Sequence, residues 1–210
     1  LAQCIRNNLY NDRKFAHQLK QLYCYDTINN LSGLEVFNEL ETLYLNDVPV
    51  DDIAALVPLT ELESLSIFGL EVTEFSVLGS LQSLQTLKLQ ANNFNNESAT
   101  KLLQLTRLRH LDISSQNLTE LPSLSDLTLL EELTITAPIV SLEPLLQNQL
   151  LTSLYVYSDY TRLPSQVNWP VLETLSLYGG NVTSLETITG LTSLRELTLS
   201  FTGLNNINGV

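Results

Sequence analysis

The sequence predicts an α/β solenoid: one parallel sheet on one side, short 3-10 turns or irregular chain on the other, and a helical cap at the amino end. Three observations lead there. A leucine opens a repeating unit at Leu19, Leu40, Leu62, Leu84, Leu108, Leu130, Leu151, Leu172 and Leu194, with steps of 21, 22, 22, 24, 22, 21, 21 and 22 residues. Apolar residues return three and five places later in nearly every unit, as at Leu65 and Ile67 or Leu133 and Ile135. A further apolar residue sits at +10 in most units: Val50, Val72, Phe94, Leu118, Val140, Val182 and Leu204. A fixed period of this length is the mark of a stacked array.

Each element follows from the spacing inside a unit. The change from a step of three to a step of two suits a turn entering a short strand, and residues alternate sides along a strand. Positions +3 and +5 are therefore expected in the core, and +2, +4 and +6 on the opposite face of the sheet. The later apolar triads, Ile53–Leu56–Leu59, Leu121–Leu124–Leu127 and Leu185–Ile188–Leu191, are spaced by three, which suits 3-10 turns on the far side. Trp169 is expected on that far side too, with a surface anchor as the alternative. In the longest unit, Asn96 or Ser98 is the expected cap of a helical turn over 99–105. A lone unit cannot bury its apolar face. Stacking shares that burial between neighbours and adds a strand-to-strand hydrogen-bond ladder.

The pattern resembles the leucine-rich repeat of the short type found in bacterial internalin-like surface proteins, over roughly residues 19–210. The resemblance implies a right-handed superhelix with a concave parallel sheet. It implies a binding module rather than an enzyme, with a secreted or cell-surface location, a periplasmic or outer-membrane lipoprotein included. It is specific for fold and weak for activity, because such repeats serve unrelated binding roles. One departure stands out. The asparagine expected at +8 is present only as Asn92, the others being Thr27, Val48, Leu70, Gln116, Pro138, Asp159, Gly180 and Thr202.

Residues 1–18 do not fit the repeat. Ile5, Leu9, Phe15 and Leu19 recur at helical spacing, so one or two short helices are expected to cap the first unit, leaving residues 19–210 as an array of about nine repeats, the last incomplete. Cys4 lies in this cap and Cys24 at a core-facing strand position. A bridge between them would pin the cap to the first strand, and the implied surface location is one where such a bridge persists. Two buried free thiols are the alternative. The opening Leu-Ala-Gln-Cys loosely resembles a lipoprotein cleavage box, with Gln3 a poor fit before Cys4. The chain has no methionine, even at position 1, and stops inside a repeat at Asn208–Gly209–Val210. It is expected to be a trimmed piece of a longer protein, or else one whose last edge pairs with another copy.

Composition narrows the partners. A net charge of −13 argues against nucleic acid and anionic membrane surfaces and suits a cationic partner, although solubility alone also explains it. No apolar run approaches the length of a transmembrane helix. No zinc spacing, phosphate loop or nucleophile elbow is present, and no cofactor is expected. His110, Asp112 and Ser114 share a strand face, but alternate strand residues stand about 6.5–7 Å apart, too far for a nucleophile and its base. Asn46, Asp47, Asp51 and Asp52 lack calcium-loop spacing and read as a solvated acidic face. The sequons at Asn96, Asn117 and Asn181 matter only in a eukaryotic secretory route.

The outward strand positions carry the functional signal. Tyr23, Tyr25, Tyr44 and Phe68 fall in the first three units; Tyr155, Tyr157 and Tyr178 fall later, with Phe201 beyond them. The middle units are polar and include Lys88, His110 and Asp112. Six of the eight tyrosines thus share one face in two clusters. Strand preference explains tyrosine in strands but not its absence from the middle. The expected function is recognition of an extracellular protein by this concave face. Glycan binding by the same rings and a spacer role in a larger surface protein are the alternatives.

Overall fold

The computed structural model describes residues 1–12, 18–180, 182, 185–200 and 203, without the side chains of 8–12. A helix, α1 (Ala2–Asp12), precedes nine strands: β1 (Gln21–Cys24), β2 (Thr42–Leu45), β3 (Ser64–Leu70), β4 (Thr86–Ala91), β5 (His110–Ser114), β6 (Glu132–Thr136), β7 (Ser153–Tyr157), β8 (Thr174–Tyr178) and β9 (Glu196–Ser200). They form one parallel sheet in chain order, with β1 and β9 at its two edges. The register is the one the leucines dictate: Leu43 lies opposite Leu65, Leu65 opposite Leu87, and so on to Leu197. The fold is thus an open solenoid.

Two backbone devices repeat from unit to unit among the described residues. The N–H of each opening leucine from Leu40 to Leu194 bonds to the carbonyl three residues earlier, on Phe37, Leu59, Leu81, Leu105, Leu127, Asn148, Trp169 and Leu191, at 2.9–3.3 Å. One residue past the leucine, a carbonyl accepts two N–H groups of the next unit; Glu41 takes those of Glu63 and Ser64 at 2.9 and 3.0 Å. The first device closes each unit with a 3-10 turn. The second ties it to its successor.

The side chains at the closing position are all leucine except Phe37, Asn148 and Trp169. Trp169 is fully buried and donates its indole N–H to the Leu145 carbonyl at 2.9 Å, so it is a core residue and not a surface anchor. Asn148 is also buried, and its amide donates to the carbonyls of Leu124 and Leu127 at 2.9 and 3.0 Å. The far side carries 3-10 turns at Leu34–Val36, Ala54–Leu56, Ser76–Ser80, Thr100–Gln104, Glu143–Leu145 and Glu186–Ile188. The triad Leu121–Leu124–Leu127 is buried in irregular chain.

The loop leaving each strand departs from the expected register. A bulge in β3 sets Leu70, not Gly69, opposite Ala91. Gly69 takes φ +82°, and a Cβ there would stand 3.3 Å from the Val48 nitrogen. Before the bulge the inward residue is at +8, as with Val48 and Leu70. From β4 to β8 it is at +7: Ala91, Ser115, Ala137, Ser158 and Gly179 are buried. Asn92 is consequently exposed and does not line the loop. The loop carbonyls are met by other groups. Ser115 Oγ donates to Phe94 O at 2.6 Å, Ser158 Oγ to Ile139 O at 3.0 Å, and Asn93 Nδ2 to Glu71 O at 3.0 Å. Unit 130–150 is one residue short, so Ile139 fills the core place expected of Val140, which is 46% exposed.

The cap of the second helix, α2 (Asn96–Ala99), is Asn95, whose side chain accepts the Ser98 N–H at 2.9 Å; neither Asn96 nor Ser98 caps it. Asn96 instead reaches the next unit, where its Oδ1 accepts the N–H groups of Thr119 and Glu120 at 2.9 and 3.0 Å. At the amino end, α1 packs on β1 and Cys4 is joined to Cys24, with Cα atoms 5.5 Å apart. That bond uses the Cys4 sulfur that lipidation would need. Phe15 and His17 lie outside the described residues.

Two stability predictions follow from these contacts. Gly179 has φ +82°, and a Cβ would stand 2.7 Å from the Ser158 carbonyl. Gly179→Ala should therefore lower stability by about 1–3 kcal/mol in urea unfolding. Alkylation without reductant should label no cysteine, and Cys4→Ser should cost roughly 3 kcal/mol in the chain-entropy model for the 20-residue separation.

Candidate functional site

Alternation places the expected residues on the outward face. Leu43 and Leu45 of β2 are buried while Tyr44 between them is half-exposed, and the same holds around Tyr155 in β7. The face carries two aromatic groups. In the first, Tyr44 is central: its ring lies 6.4 Å from Tyr23, 5.2 Å from Tyr25 and 5.7 Å from Phe68, tilted against each. Tyr25 is 69% exposed and sits just past the end of β1. In the second, Tyr157 and Tyr178 lie opposite each other in the parallel register and stack face to face, with centroids 4.6 Å apart and planes 7° apart. Tyr155 is two residues away on β7, half-buried between Thr134 and Ser176. Phe201 lies outside the described residues.

The polar middle is a set of cross-strand pairs. Lys88 lies opposite Asp112, and His110 lies opposite Glu132, its Nδ1 being 3.1 Å from the Glu132 carboxylate. His110 is therefore paired with the neighbouring strand and not with Asp112 along its own. A cleft of about 70 Å³ runs between these side chains. Burial lifts the Asp112 carboxyl above the ordinary aspartate range, and the Lys88 charge pulls it partly back. One position before this face runs a second charged row the sequence reading missed. Lys20 pairs with Glu41 at 3.1 Å, Arg109 with Glu131, and Arg195 with Glu173 at 3.7 Å. Its signal is the +1 column.

The largest feature near the second aromatic group is a groove of about 510 Å³ at the carboxyl ends of β5 to β8. It is lined by Tyr157 and Tyr178 together with Gln116, Pro138, Asp159 and Tyr160. None of the last four was expected as a site residue. Gln116, Pro138 and Asp159 all occupy +8, the column in which only Asn92 is the repeat's asparagine; from the bulge onward that column turns outward. Tyr160 follows and is 61% exposed.

The acidic loop residues are engaged locally. Asp47, at φ +54°, takes the Thr27 hydroxyl, and Asp52 accepts the Ala54 N–H at 2.8 Å. Among the described residues, no three His, Cys, Asp or Glu side chains gather to hold a metal, and no helix is long and apolar enough to cross a membrane.

A carboxyl whose folded-state pKa exceeds its unfolded one binds its proton more tightly in the folded chain. Its stabilising contribution is present below the unfolded pKa and is lost as pH rises through the folded one. Asp112→Asn should thus raise the melting temperature at pH ~7 and leave it nearly unchanged at pH ~3, where aspartate is protonated in both states. Thermal scans at the two pH values check this.

No family model matches the chain, and no curated protein matches it. Solved structures do. An internalin C2 from Listeria monocytogenes superposes with a TM-score of 0.80 at 22% identity, covering 95% of this chain and 92% of that one. The functional domain of InlJ from the same organism gives 0.67 at 19%, covering 92% and 46%. The Arabidopsis receptor kinase HAESA, in complex with the peptide hormone IDA and the co-receptor SERK1, gives 0.63 at 23%, covering 87% and 38%. The shared feature is the architecture built above, and the chain is an internalin-like leucine-rich repeat solenoid in its fold.

Proposed function

We propose that the chain is a non-enzymatic module that recognises an extracellular protein through the concave face of its sheet. One observation supports the reading: exposed and half-exposed tyrosines of adjacent strands gather into two ring clusters at separated places on one face. Tyrosine offers large contact area, few rotors and a polar tip, which is why such residues dominate binding energy at interfaces. Nine strands at about 4.8 Å present roughly 40 Å of surface, the width of a small domain. HAESA, of similar fold, is held with a peptide hormone and a co-receptor, which supports protein recognition as the class of work.

The site residues of this reading are Tyr23, Tyr25, Tyr44 and Phe68 at one end, Tyr155, Tyr157 and Tyr178 at the other, and Lys88, His110 and Asp112 between them. Residues 1–18 serve as the amino-terminal cap of the array at 19–210. The Cys4–Cys24 bridge supports a secreted or cell-surface location, where disulfides persist. The acidity favours a cationic partner.

A binding screen against arrayed extracellular proteins and glycans tests the reading. At least one protein should bind the wild-type chain and lose about tenfold or more in affinity on Tyr157→Ser/Tyr178→Ser or Tyr25→Ser/Tyr44→Ser. Hits confined to glycans would replace the protein by a sugar. Protein hits indifferent to both double variants would move the site off this face.

A further inference from the structure

The groove beside Tyr157 has a chemistry of its own. Tyr157 gives one ring face to Tyr178. Its other face looks toward β6, where Thr136 is its register partner, and Thr136 in turn lies opposite Ser114. Small side chains thus face that side of the ring, and Tyr157 is 41% exposed. The groove lies over Thr136, with Ser115 and Ala137 also in its lining. Asp159 stands at its rim beside Gly179: a Cβ on Gly179 would meet Asp159 Oδ1 at 2.8 Å. Among the described residues, Asp159 is the sole formal charge lining the groove.

An exposed tyrosine and a lone carboxylate lining one groove, over a floor of small side chains, are complementary to a flat cation on an aliphatic stem. The net charge of −13 adds a long-range attraction of the same sign. We propose that the groove seats an arginine side chain from an extended segment of the protein partner. The guanidinium lies against the exposed part of the Tyr157 ring, and Asp159, whose carboxylate leans toward Gly179, supplies the counter-charge from the β8 side of the groove. Arginine fits better than lysine because a planar guanidinium can stack on the ring and still donate to the carboxylate. The inference rests on the recognition role of Tyr157 and Tyr178 and names the ligand chemistry of that end of the face.

The probes are tetra-arginine, tetra-citrulline of the same shape without charge, and cellotetraose, each titrated into the full chain while the tyrosine ring resonances are followed by NMR. Tetra-arginine should shift the rings of Tyr157 and Tyr178 selectively. Affinity should fall on the order of fivefold for tetra-citrulline, for Asp159→Asn and for Tyr157→Leu. Asp159→Asn leaves nearly all of the acidity in place, so it separates this groove from general attraction of a polycation. Equal binding of the arginine and citrulline peptides, shifts spread over other acidic loops, or indifference to Asp159→Asn would each overturn the inference. So would cellotetraose shifting the same rings as strongly. A protein partner that is lost on Tyr157→Ser/Tyr178→Ser but unaffected by Asp159→Asn would overturn the arginine and leave protein recognition standing.

Discussion

The structure depends on one constraint: every unit must bring the chain back to where the previous unit began, one strand spacing further along. The closing hydrogen bond from each opening leucine to the carbonyl three residues earlier meets it locally, and the shared carbonyl one residue later meets it between units. Burial of the leucines at +3 and +5 supplies the driving force. Unit lengths of 21, 22 and 24 residues can then coexist, because the differences are absorbed between the strand and the closing turn. The sheet keeps its register throughout except at the bulge in β3.

The leucine spine and the outward tyrosines were legible because strand alternation leaves no choice about sides. Once Leu154 and Val156 face inward, Tyr155 and Tyr157 cannot. The loop positions were not legible, and the causes are specific. The bulge at Gly69 shifts the inward place from +8 to +7, and a lone glycine does not announce a bulge. Ile139 and Val140 are adjacent and equally apolar, so only the length of the loop decides which is buried. Asn95 and Asn96 are chemically identical, and one caps α2 while the other bridges to Thr119. Asn148 and Trp169 share the closing position with leucines, which appears only when residues are counted back from the next unit.

The candidate site shows the same division. The sequence places six tyrosines on one face, yet it does not show that Tyr157 and Tyr178 stack or that Tyr44 joins three rings. Equal offsets from the opening leucine make Tyr157 and Tyr178, and Tyr23 and Tyr44, register neighbours, whereas Tyr25 and Phe68, two places further along their units, reach Tyr44 diagonally. The groove beyond them is built from the +8 column, whose outward turn comes from the bulge. Its residues therefore escape a reading that assigns that column to the loop interior.

A sheet with one shared register gives its outer face fixed addresses. Each strand is a column about 4.8 Å from the next, and its outward side chains are rows about 6.8 Å apart. Exchanging one whole unit for another would rewrite a single column and leave the flanking columns where they were. Molecular preference on such a scaffold can drift strand by strand, with the architecture inherited unchanged.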